Sequence, residues 1–402
     1  MELVTATMIE QATQRLQGNI NHTDLVSVPQ GVLGSHGDLF LKAENLQKTG
    51  SFKVRGAMNK IMTLTEEERK NGVICASAGN HAQGVALSAS LFGIHAIVVM
   101  PKGAPIYKIQ ATRSYGAEVI LYGSCFDEAY EYALHMATQK NLTFIYPFDD
   151  ELVIAGQGTI GREILHQLPD CQSILVPCGG GGLLAGIAVA AKAINPDIQI
   201  ICVEPENAAC MKQSVQAKTL STLNTASTVA DGVAVKKPGA LPFAICKDLV
   251  DDYLTVSEAE IYNTILTLAE RMKMIAEGAG AVAAAAVAFH KCRGLGKTVA
   301  VVSGGNIDMN MLDRIMEKGL ISSGRRFVFK TIVGDKPGML IRLLELLADN
   351  QANVMSVGHD RLSNRSRLGE VLVSLELETR DHEHIIGIQN QLISHGYHIM
   401  LD

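Results

Sequence analysis

The sequence predicts an α/β protein in which a helix-covered parallel sheet is followed by a smaller α+β domain. From about residue 70 to residue 310, short apolar runs alternate with helix-like stretches rich in small residues, a pattern typical of parallel sheets. The pattern breaks at residues 321–326, and the remaining chain is predicted as strand, helix, strand, strand, helix and strand. We therefore predict one domain over residues 1–320 and another over residues 325–402.

Short apolar runs, helix-start signals and side-chain spacing predict the individual elements. The predicted strands are residues 73–76, 96–100, 119–121, 174–176, 198–203 and 299–302. The predicted capping boxes are Thr7/Glu10, Thr65/Glu68 and Ser257/Glu260. In the second domain, a helix is predicted from the spacing of Leu340, Leu343, Leu344 and Leu347, and a strand is predicted from the alternation of Val371, Val373, Leu375 and Leu377.

Composition excludes several classes of partner. The 402 residues carry a formal net charge of -6 and no basic run, so nucleic acid is not expected as a partner. Residues 1–5 lack a signal peptide pattern, and the alanine-rich stretch 278–289 is too short to span a membrane and is predicted as a buried helix. The eight cysteines form no CxxC pair, which indicates buried thiols in a reducing cytoplasm.

Lys53 is the first candidate for catalytic chemistry. It lies in residues 50–57 among small and apolar neighbours. Burial lowers the pKa of a lysine and frees its amine as a nucleophile for aldehydes. Most lysines are solvated surface charges, so this interpretation depends on three further motifs.

The second motif follows a predicted strand and opens a helix. It consists of Ser77, Ala78, Gly79, Asn80 and His81. Backbone N–H groups at a helix start attract anions, here a substrate carboxylate, and the Ser77 hydroxyl adds a donor. The structural alternative is that Ser77 or Asn80 only caps the helix, and for His81 a structural role is favoured.

The third and fourth motifs are glycine-rich ends of predicted strands. The third is Gly179, Gly180, Gly181, Gly182 and Leu183. Its glycines let the backbone approach a phosphate, and no Gly-Lys-Ser/Thr follows to indicate a nucleotide loop. In the fourth, residues 303–306, the Ser303 hydroxyl is suited to hydrogen-bond a neutral ring nitrogen. The structural alternative for the third motif is a plain flexible turn, and that for the fourth motif is a helix cap or a strand-end turn.

Together the motifs resemble those of fold type II pyridoxal-phosphate enzymes, most closely the threonine ammonia-lyases (threonine dehydratases), over about residues 5–320. The resemblance implies two lobes of open parallel sheets covered by helices, and pyridoxal 5'-phosphate as the cofactor. It implies that Lys53 holds the cofactor beside Phe52, that Asn80 contacts its ring oxygen, that Gly179 to Gly182 with Leu183 hold its phosphate, and that Ser303 meets its pyridine nitrogen. It also implies that the motif from Ser77 to His81 binds the substrate.

The implied reaction is the deamination of L-threonine to 2-oxobutanoate and ammonia, in isoleucine synthesis or threonine breakdown. The freed Lys53 amine would take the Cα proton, and a serine at the ring nitrogen suits elimination over transamination. The alternatives within the fold are an L-serine dehydratase or another β-eliminating or β-replacing enzyme. The alternative from another class is a non-catalytic amino-acid sensor, which the intact Lys53, Asn80 and Ser303 disfavour.

Two departures from the related serine racemases are visible. The loop of the serine racemases is similar but carries a second serine at the position of Ala78. In those enzymes this serine acts as the base on the opposite face of the substrate, and an alanine cannot, so racemisation is disfavoured. Near Glu204 and Ala208, Cys210 replaces a carboxylate of their cation site. Because hard cations prefer oxygen ligands, we predict no tight divalent site, and a solvated carboxylate is the alternative for Glu204. The spacing of His382, His384, His395 and His398 does not predict a metal site either.

The second domain resembles an ACT domain, an amino-acid-sensing module. Residues 334–340 resemble the first strand-to-helix loop of that module. The resemblance implies feedback by an amino acid such as isoleucine or valine, whereas a structural or oligomerising module is the alternative. A homodimer or homotetramer is implied by the family.

Overall fold

The computed structural model describes residues 4–292 and 295–401, so Met1, Glu2 and Leu3 of the N-terminal stretch considered above lie outside the described residues. The chain divides into two compact units, Met1–Met309 and Asn310–Asp402. The division lies N-terminal to residues 321–326, since most of the helix Met309–Ser322 is grouped with the second unit.

Ten strands of the first unit form two sheets. They are β1 (Leu25–Ser27), β2 (Leu39–Ala43), β3 (Val73–Ala76), β4 (Ala96–Met100), β5 (Glu118–Leu121), β6 (Thr143–Phe144), β7 (Ser173–Pro177), β8 (Gln199–Pro205), β9 (Asp252–Val256) and β10 (Thr298–Val302). The larger sheet has the order β1-β2-β10-β7-β8-β9, and only the β1–β2 pair is antiparallel. The smaller sheet has the order β5-β4-β3-β6 and is entirely parallel. We call the regions built on these sheets the larger and the smaller lobe.

Helices connect the strands, as parallel pairing requires. They are α1 (Ala6–Leu16), α2 (Lys53–Met62), α3 (Glu66–Asn71), α4 (Asn80–Leu91), α5 (Ile106–Ser114), α6 (Phe126–Lys140), α7 (Glu151–Gln167), α8 (Gly182–Ile194), α9 (Cys210–Ala217), α10 (Ala240–Leu249), α11 (Glu258–Met272) and α12 (Gly278–Ala288). This two-lobed α/β architecture confirms the predicted fold class of the first unit.

The six predicted strands are confirmed as β3, β4, β5, β7, β8 and β10. Four strands were not predicted because their sequences lack a continuous apolar run. β6 has only two residues, β1 and β9 are largely unburied, and Lys42 interrupts β2. Lys42 is nevertheless fully buried.

The capping boxes at Thr65 and Ser257 are confirmed at the starts of α3 and α11. The capping box at Thr7/Glu10 is wrong. Helix α1 begins two residues earlier, because the Thr5 hydroxyl accepts a hydrogen bond from the Met8 N–H at 3.3 Å and caps the helix there.

The alanine-rich stretch forms the buried helix α12, as predicted. Among the described residues, no helix is long and apolar enough to cross a membrane. All eight cysteines are free thiols, and six of them are buried. The expectation that every thiol is buried is wrong for Cys125, which is exposed before α6, and for Cys292, which is half-buried.

The second unit is α+β. It contains α13 (Met309–Ser322), β11 (Arg326–Gly334), α14 (Met339–Asp349), β12 (Asn353–Asp360), β13 (Glu370–Glu378) and α15 (His382–Ser394). Its antiparallel sheet has the order β11-β13-β12. Buried side chains from α14 and β13, including Leu343, Leu347, Val371 and Val373, form its core at the predicted spacing. The last predicted strand is reduced to one bridge between Lys330 and Met400.

Candidate active site

The four motifs lie at strand-to-helix junctions of the two sheets, where ligands bind in open α/β folds. The stretch around Lys53 contacts the end of β10 directly, because the Phe52 N–H donates to the Ser303 carbonyl at 3.1 Å and Ser51 pairs with Gly304. The Lys53 amine donates to the Pro147 carbonyl at 2.9 Å. Pro147 precedes Phe148, which packs against the glycine loop.

The Asn80 motif joins the same group. The Asn80 Nδ2 donates to Glu277 Oε1 at 2.6 Å, and Asn306 Nδ2 donates to Asn80 Oδ1 at 2.8 Å. The Glu277 N–H donates to the Gly304 carbonyl at 3.1 Å. The structure therefore brings together all four motifs that were separate in the sequence.

Lys53 begins helix α2 and has an unusually acidic ammonium group. Desolvation lowers the pKa of Lys53 to about 8, although the Glu277 carboxyl acts in the opposite direction. Relative to an ordinary lysine, this shift increases the fraction of free amine at pH 7 by roughly 300-fold. The Phe52 ring lies 5.2 Å from the Lys53 Nζ. The side chain is therefore suited to act as a nucleophile and as a base.

Glu277 is a buried carboxyl of the candidate site that our sequence analysis missed. It is 5% exposed, and burial together with Asp231 raises its pKa to about 8, although Asn80, Lys108 and Lys53 act against this shift. Glu277 therefore carries a proton at neutral pH. The available sequence signal was a carboxylate placed directly before the apolar helix α12.

The glycine loop connects β7 to α8 and leaves the helix start uncapped by side chains. A Cβ at Gly180 would lie 2.3 Å from the Phe148 ring, and a Cβ at Gly179 would lie 2.8 Å from the Val233 Cα. Gly181 has φ +93°, a backbone conformation that side chains disfavour. Only glycine fits these positions, and the N–H groups at the start of α8 are suited to bind an anion.

The helix that follows the Asn80 motif is also uncapped by a side chain. Helix α4 begins at Asn80 with Gly79 at its N-cap, so neither Ser77 nor Asn80 caps it as the structural alternative required. The Ser77 Oγ instead accepts from the Gly79 N–H at 3.2 Å. Ala78, beside it, is half-buried against the core of the smaller lobe and has no group that can exchange a proton.

His81 has a structural side chain. It is buried and its Nε2 donates to the Ile145 carbonyl at 2.8 Å, because a carbonyl can only accept. Desolvation and the nearby Lys53 lower the pKa of His81 to about 3. The imidazole is therefore neutral.

Ser303 lies at the end of β10 and is buried. Its hydroxyl donates to the Ala279 carbonyl at 3.3 Å, a long hydrogen bond. Because a hydroxyl hydrogen rotates, the same donor can be directed toward a ring nitrogen. Next to this strand end, the buried Ser51 hydroxyl has no hydrogen-bond partner among the described residues.

Glu204 is fully buried, so its interpretation as a solvated strand-end carboxylate is wrong. Its two oxygens accept from the N–H groups of Met211 and Lys212 at 2.9 and 2.8 Å, which places it at the start of α9. Burial raises its pKa to about 7 despite these bonds. Within residues 4–292 and 295–401, no three His, Cys, Asp or Glu side chains are grouped to hold a metal ion.

A buried ion cluster surrounds Arg55, which follows Lys53 by two residues in helix α2. Arg55 donates to both oxygens of Glu44 at 2.7 and 2.8 Å and to both oxygens of Glu163 at 2.5 and 2.9 Å. Lys42 donates to Glu163 at 2.7 Å and to the Thr23 carbonyl at 2.8 Å. Our sequence analysis did not identify this cluster, because its members come from distant parts of the chain.

Comparison with known proteins places the chain in a family. The sequence profile described as "pyridoxal-phosphate dependent enzyme" matches residues 16–304. The chain belongs to the pyridoxal-phosphate dependent enzyme family. This assignment confirms the fold type and the cofactor that the sequence motifs indicated.

Individual relatives are similar over most of the chain. An L-threonine ammonia-lyase of Thermotoga maritima is 50% identical over 402 residues, covering 99% of this chain and 100% of that protein. The catabolic L-threonine dehydratase TdcB of Escherichia coli K12 is 47% identical over 310 residues, covering 76% of this chain and 94% of that protein. The structure of the processed form of threonine deaminase isoform 2 from Solanum lycopersicum has a TM-score of 0.72 and 38% identity, covering 79% of this chain and 95% of that chain.

The residues of this family member fit pyridoxal phosphate. The uncapped start of α8 behind Gly179 to Gly182 suits a phosphate, the Lys53 amine suits an aldehyde, and the buried Ser51 hydroxyl lacks a partner among the described residues. These groups are joined by the contacts described above, so one ligand with both a phosphate and an aldehyde can engage them together.

Proposed function

We propose that the protein is a threonine ammonia-lyase that converts L-threonine to 2-oxobutanoate and ammonia. The observation that carries the proposal is the desolvated Lys53 amine, which donates a hydrogen bond to the Pro147 carbonyl, next to the Phe148 ring that packs against the glycine loop. Full-length similarity to an L-threonine ammonia-lyase supports the same activity.

Bound pyridoxal phosphate supplies an electron sink for negative charge at the substrate Cα. In our proposal, Lys53 and Phe52 hold the cofactor, Gly179 to Gly182 and Leu183 hold its phosphate, Asn80 faces its ring oxygen and Ser303 faces its ring nitrogen. A serine hydroxyl leaves that nitrogen unprotonated, which favours elimination over transamination.

The backbone from Ser77 to His81 holds the substrate carboxylate at the start of α4, where N–H groups and the helix dipole favour an anion. The Lys53 amine takes the Cα proton, for which its lowered pKa is suited. The Cα–H and Cβ–O bonds break, the hydroxyl leaves as water, and water then replaces the amino group. The products are 2-oxobutanoate and ammonia, so atoms balance without an oxidant.

The test is replacement of the candidate lysine. Lys53→Ala is expected to lower turnover of threonine by at least about 10⁴-fold and to abolish borohydride labelling at this position. Lys60→Ala is the matched control, because Lys60 lies in the same helix and pairs with Asp150 at 2.8 Å. Full activity of Lys53→Ala with an unlabelled peptide would contradict the proposal.

The substrate alternatives are separated by product analysis. L-serine dehydration gives pyruvate, β-replacement with sulfide gives a thiol amino acid, and racemisation gives D-serine. Ala78 disfavours racemisation because a methyl group cannot exchange a proton on the opposite face. Ala78→Ser is expected to raise D-serine formation above that of the unmodified enzyme if the remaining geometry is shared with racemases.

For the second unit we propose an ACT-like module over residues 325–402 that binds an amino-acid effector and regulates the domain over residues 1–320. The matched sequence profile ends at residue 304, before the second unit begins. The order of strands and helices in the second unit supports its resemblance to an ACT domain. Titration with isoleucine or valine is expected to change the rate and the melting temperature. No change in either quantity would favour a structural module.

We also propose a cytoplasmic enzyme in isoleucine synthesis or threonine breakdown that assembles as a homodimer or homotetramer. Inhibition by isoleucine would favour the biosynthetic role. Light scattering of the purified protein measures the subunit number directly.

A further inference from the structure

The side-chain amide of Asn80 is fixed at both ends by two other side chains. Its Nδ2 donates to Glu277 Oε1 at 2.6 Å, and its Oδ1 accepts from Asn306 Nδ2 at 2.8 Å. Both partners follow α11 in the sequence and belong to the larger lobe, whereas Asn80 begins α4 of the smaller lobe. The network therefore joins the two lobes at the motif proposed to contact the cofactor.

Hydrogen-bond chemistry determines which way the amide points. The Asn306 Nδ2 also lies 2.6 Å from the Thr49 carbonyl, which can only accept. Asn306 therefore directs both of its N–H groups outward, one to Thr49 and one to Asn80. The atom of Asn80 that faces Asn306 must accept, so the nitrogen of Asn80 faces Glu277.

This orientation leaves one N–H of Asn80 available. An amide nitrogen has two hydrogens, and Glu277 takes one of them. The second can donate to an oxygen that carries negative charge, where a hydrogen bond is stronger than between neutral groups. With the amide reversed, the carbonyl of Asn80 would face that oxygen and repel it.

The surrounding backbone is shaped to hold the Glu277 carboxyl. A Cβ at Gly304 would lie 2.3 Å from Glu277 Oε1, so a side chain there would displace the carboxyl. The Glu277 N–H is bonded to the Gly304 carbonyl, and a Cβ at Gly280 would lie 2.1 Å from that same carbonyl oxygen. Gly304 thus makes room for the acidic side chain, and Gly280 makes room for the carbonyl to which the Glu277 N–H is bonded.

We propose that Glu277 and Asn306 are positioning residues that fix the Asn80 amide with its free N–H toward the ring oxygen of the cofactor. The inference rests on the proposed function for the contact between Asn80 and the ring. Glu277 acts as a hydrogen-bond acceptor, so its shape and its oxygen matter and its ability to ionise does not. Glutamine keeps both properties, whereas leucine keeps approximate size alone.

The experiment measures cofactor binding in place of turnover. Apoprotein is titrated with pyridoxal phosphate, and the bound cofactor's absorption spectrum is followed as a function of pH. The variants are Glu277→Leu, Glu277→Gln and Asn306→Ala. The matched control is Glu378→Leu, because Asn353 Nδ2 donates to Glu378 Oε2 at 3.0 Å in the second unit, an amide–carboxylate pair of the same chemistry.

Glu277→Leu and Asn306→Ala are expected to weaken cofactor binding about tenfold and to shift the pH at which the absorption band changes. Glu277→Gln is expected to stay within about twofold of the unmodified protein, and Glu378→Leu to match it. Melting temperatures of the apoproteins identify any variant that is unfolded. If one of Glu277→Leu and Asn306→Ala is unfolded, cofactor binding by the other decides the test.

Unchanged binding and an unchanged spectrum in both Glu277→Leu and Asn306→Ala would overturn the proposal. Equal losses in Glu277→Gln and Glu277→Leu would also overturn it, because they would show that the ionisable group itself is needed. If the unmodified protein binds the cofactor but does not deaminate threonine, the proposed function fails while the positioning test still stands.

Discussion

Two sets of charged side chains withdrawn from solvent adjoin helix α2, and their charges are compensated differently. Around Arg55, two carboxylates and two cations hydrogen-bond directly, and Glu44 and Glu163 raise the pKa of Arg55 despite its burial. Around Lys53, the ammonium donates to a backbone carbonyl, and Glu277 is bonded to an amide. The pKa of Lys53 is lowered and that of Glu277 is raised, so each shift favours the neutral form of the side chain.

The difference shows how one helix serves two purposes. In the paired cluster the pKa of Arg55 is raised and that of Glu163 is lowered, so both are stabilised as ions and link segments of the chain, although burial lowers the pKa of Lys42. Lys53 and Glu277 have no bonded counter-ion in the part of the chain that the structure describes, and the pKa of each shifts to about 8, which suits proton exchange near neutral pH. Arg55 pins α2 to α7 through Glu163 and to the end of β2 through Glu44. That connection holds the start of α2, and hence Lys53, in place.

The largest expected effect is on the paired cluster. Arg55→Leu leaves Glu44 and Glu163 buried with Lys42 as the cation beside them, and is expected to lower the free energy of unfolding by about 3–5 kcal/mol. Chemical denaturation measures the change. Lys297→Leu is the control, because Lys297 and its partner Asp170 are both exposed, and it is expected to leave the melting temperature unchanged. Equal losses in the two variants would show that the buried Arg55 cluster contributes no more to stability than an exposed ion pair.

An intermediate effect is expected from Glu204, a second buried carboxyl that is bonded to backbone N–H groups. Its pKa of about 7 lies above the ordinary value of 4.5, so between these pH values the folded protein holds a proton that the unfolded chain releases. Its contribution to stability is complete below pH 4.5 and is lost as pH rises to 7, by about 3 kcal/mol.

Glu204→Gln is expected to flatten that pH dependence, measured by denaturation at pH 5 and pH 7. Glu277 contributes a slope of the same sign that continues to about pH 8, and this part remains in the variant. A variant whose pH dependence equals that of the unmodified protein would show that Glu204 is ionised in the folded state.

The smallest expected effect concerns Lys108, a partly buried cation that acts on Glu277 from a distance. Its Nζ lies 2.5 Å from Asp231 Oδ2 and joins α5 of the smaller lobe to the loop before α10. Lys108→Met is expected to lower kcat/KM by about threefold and stability by less than about 1 kcal/mol, since Asp231 is largely exposed. A larger loss of activity, measured at saturating cofactor, would place Lys108 among the groups that touch the substrate.

Features that depend on local pattern could be predicted from the sequence. The buried strands β4 and β10 are continuous apolar runs, and the caps at Thr65 and Ser257 are contained within four residues. The glycine loop was recognisable because its conformational freedom is a property of the residue type. Lys53 was identified only because three other motifs occurred with it.

The remaining features depend on contacts across long stretches of sequence. Lys42 was not expected in a buried strand, because its partner Glu163 lies in α7. Glu204 was weighed as a solvated carboxylate, because nothing in residues 199–205 indicates that α9 covers it. The acceptor role of Glu277 follows from Asn80, which lies 197 residues away, and no local signal encodes that distance.

The order of strands in the larger sheet has a consequence for synthesis on the ribosome. β10 lies between β2 and β7, yet it ends at residue 302 of 402. The smaller sheet, built from residues 73–144, can be complete long before that point, since domains fold as their segments emerge. The larger sheet cannot be completed until its inner strand β10 has been synthesised. Of the site residues, Ser303, Gly304 and Asn306 are the last to emerge. A nascent chain therefore contains Lys53 well before the folded surroundings that lower the pKa of its amine are complete.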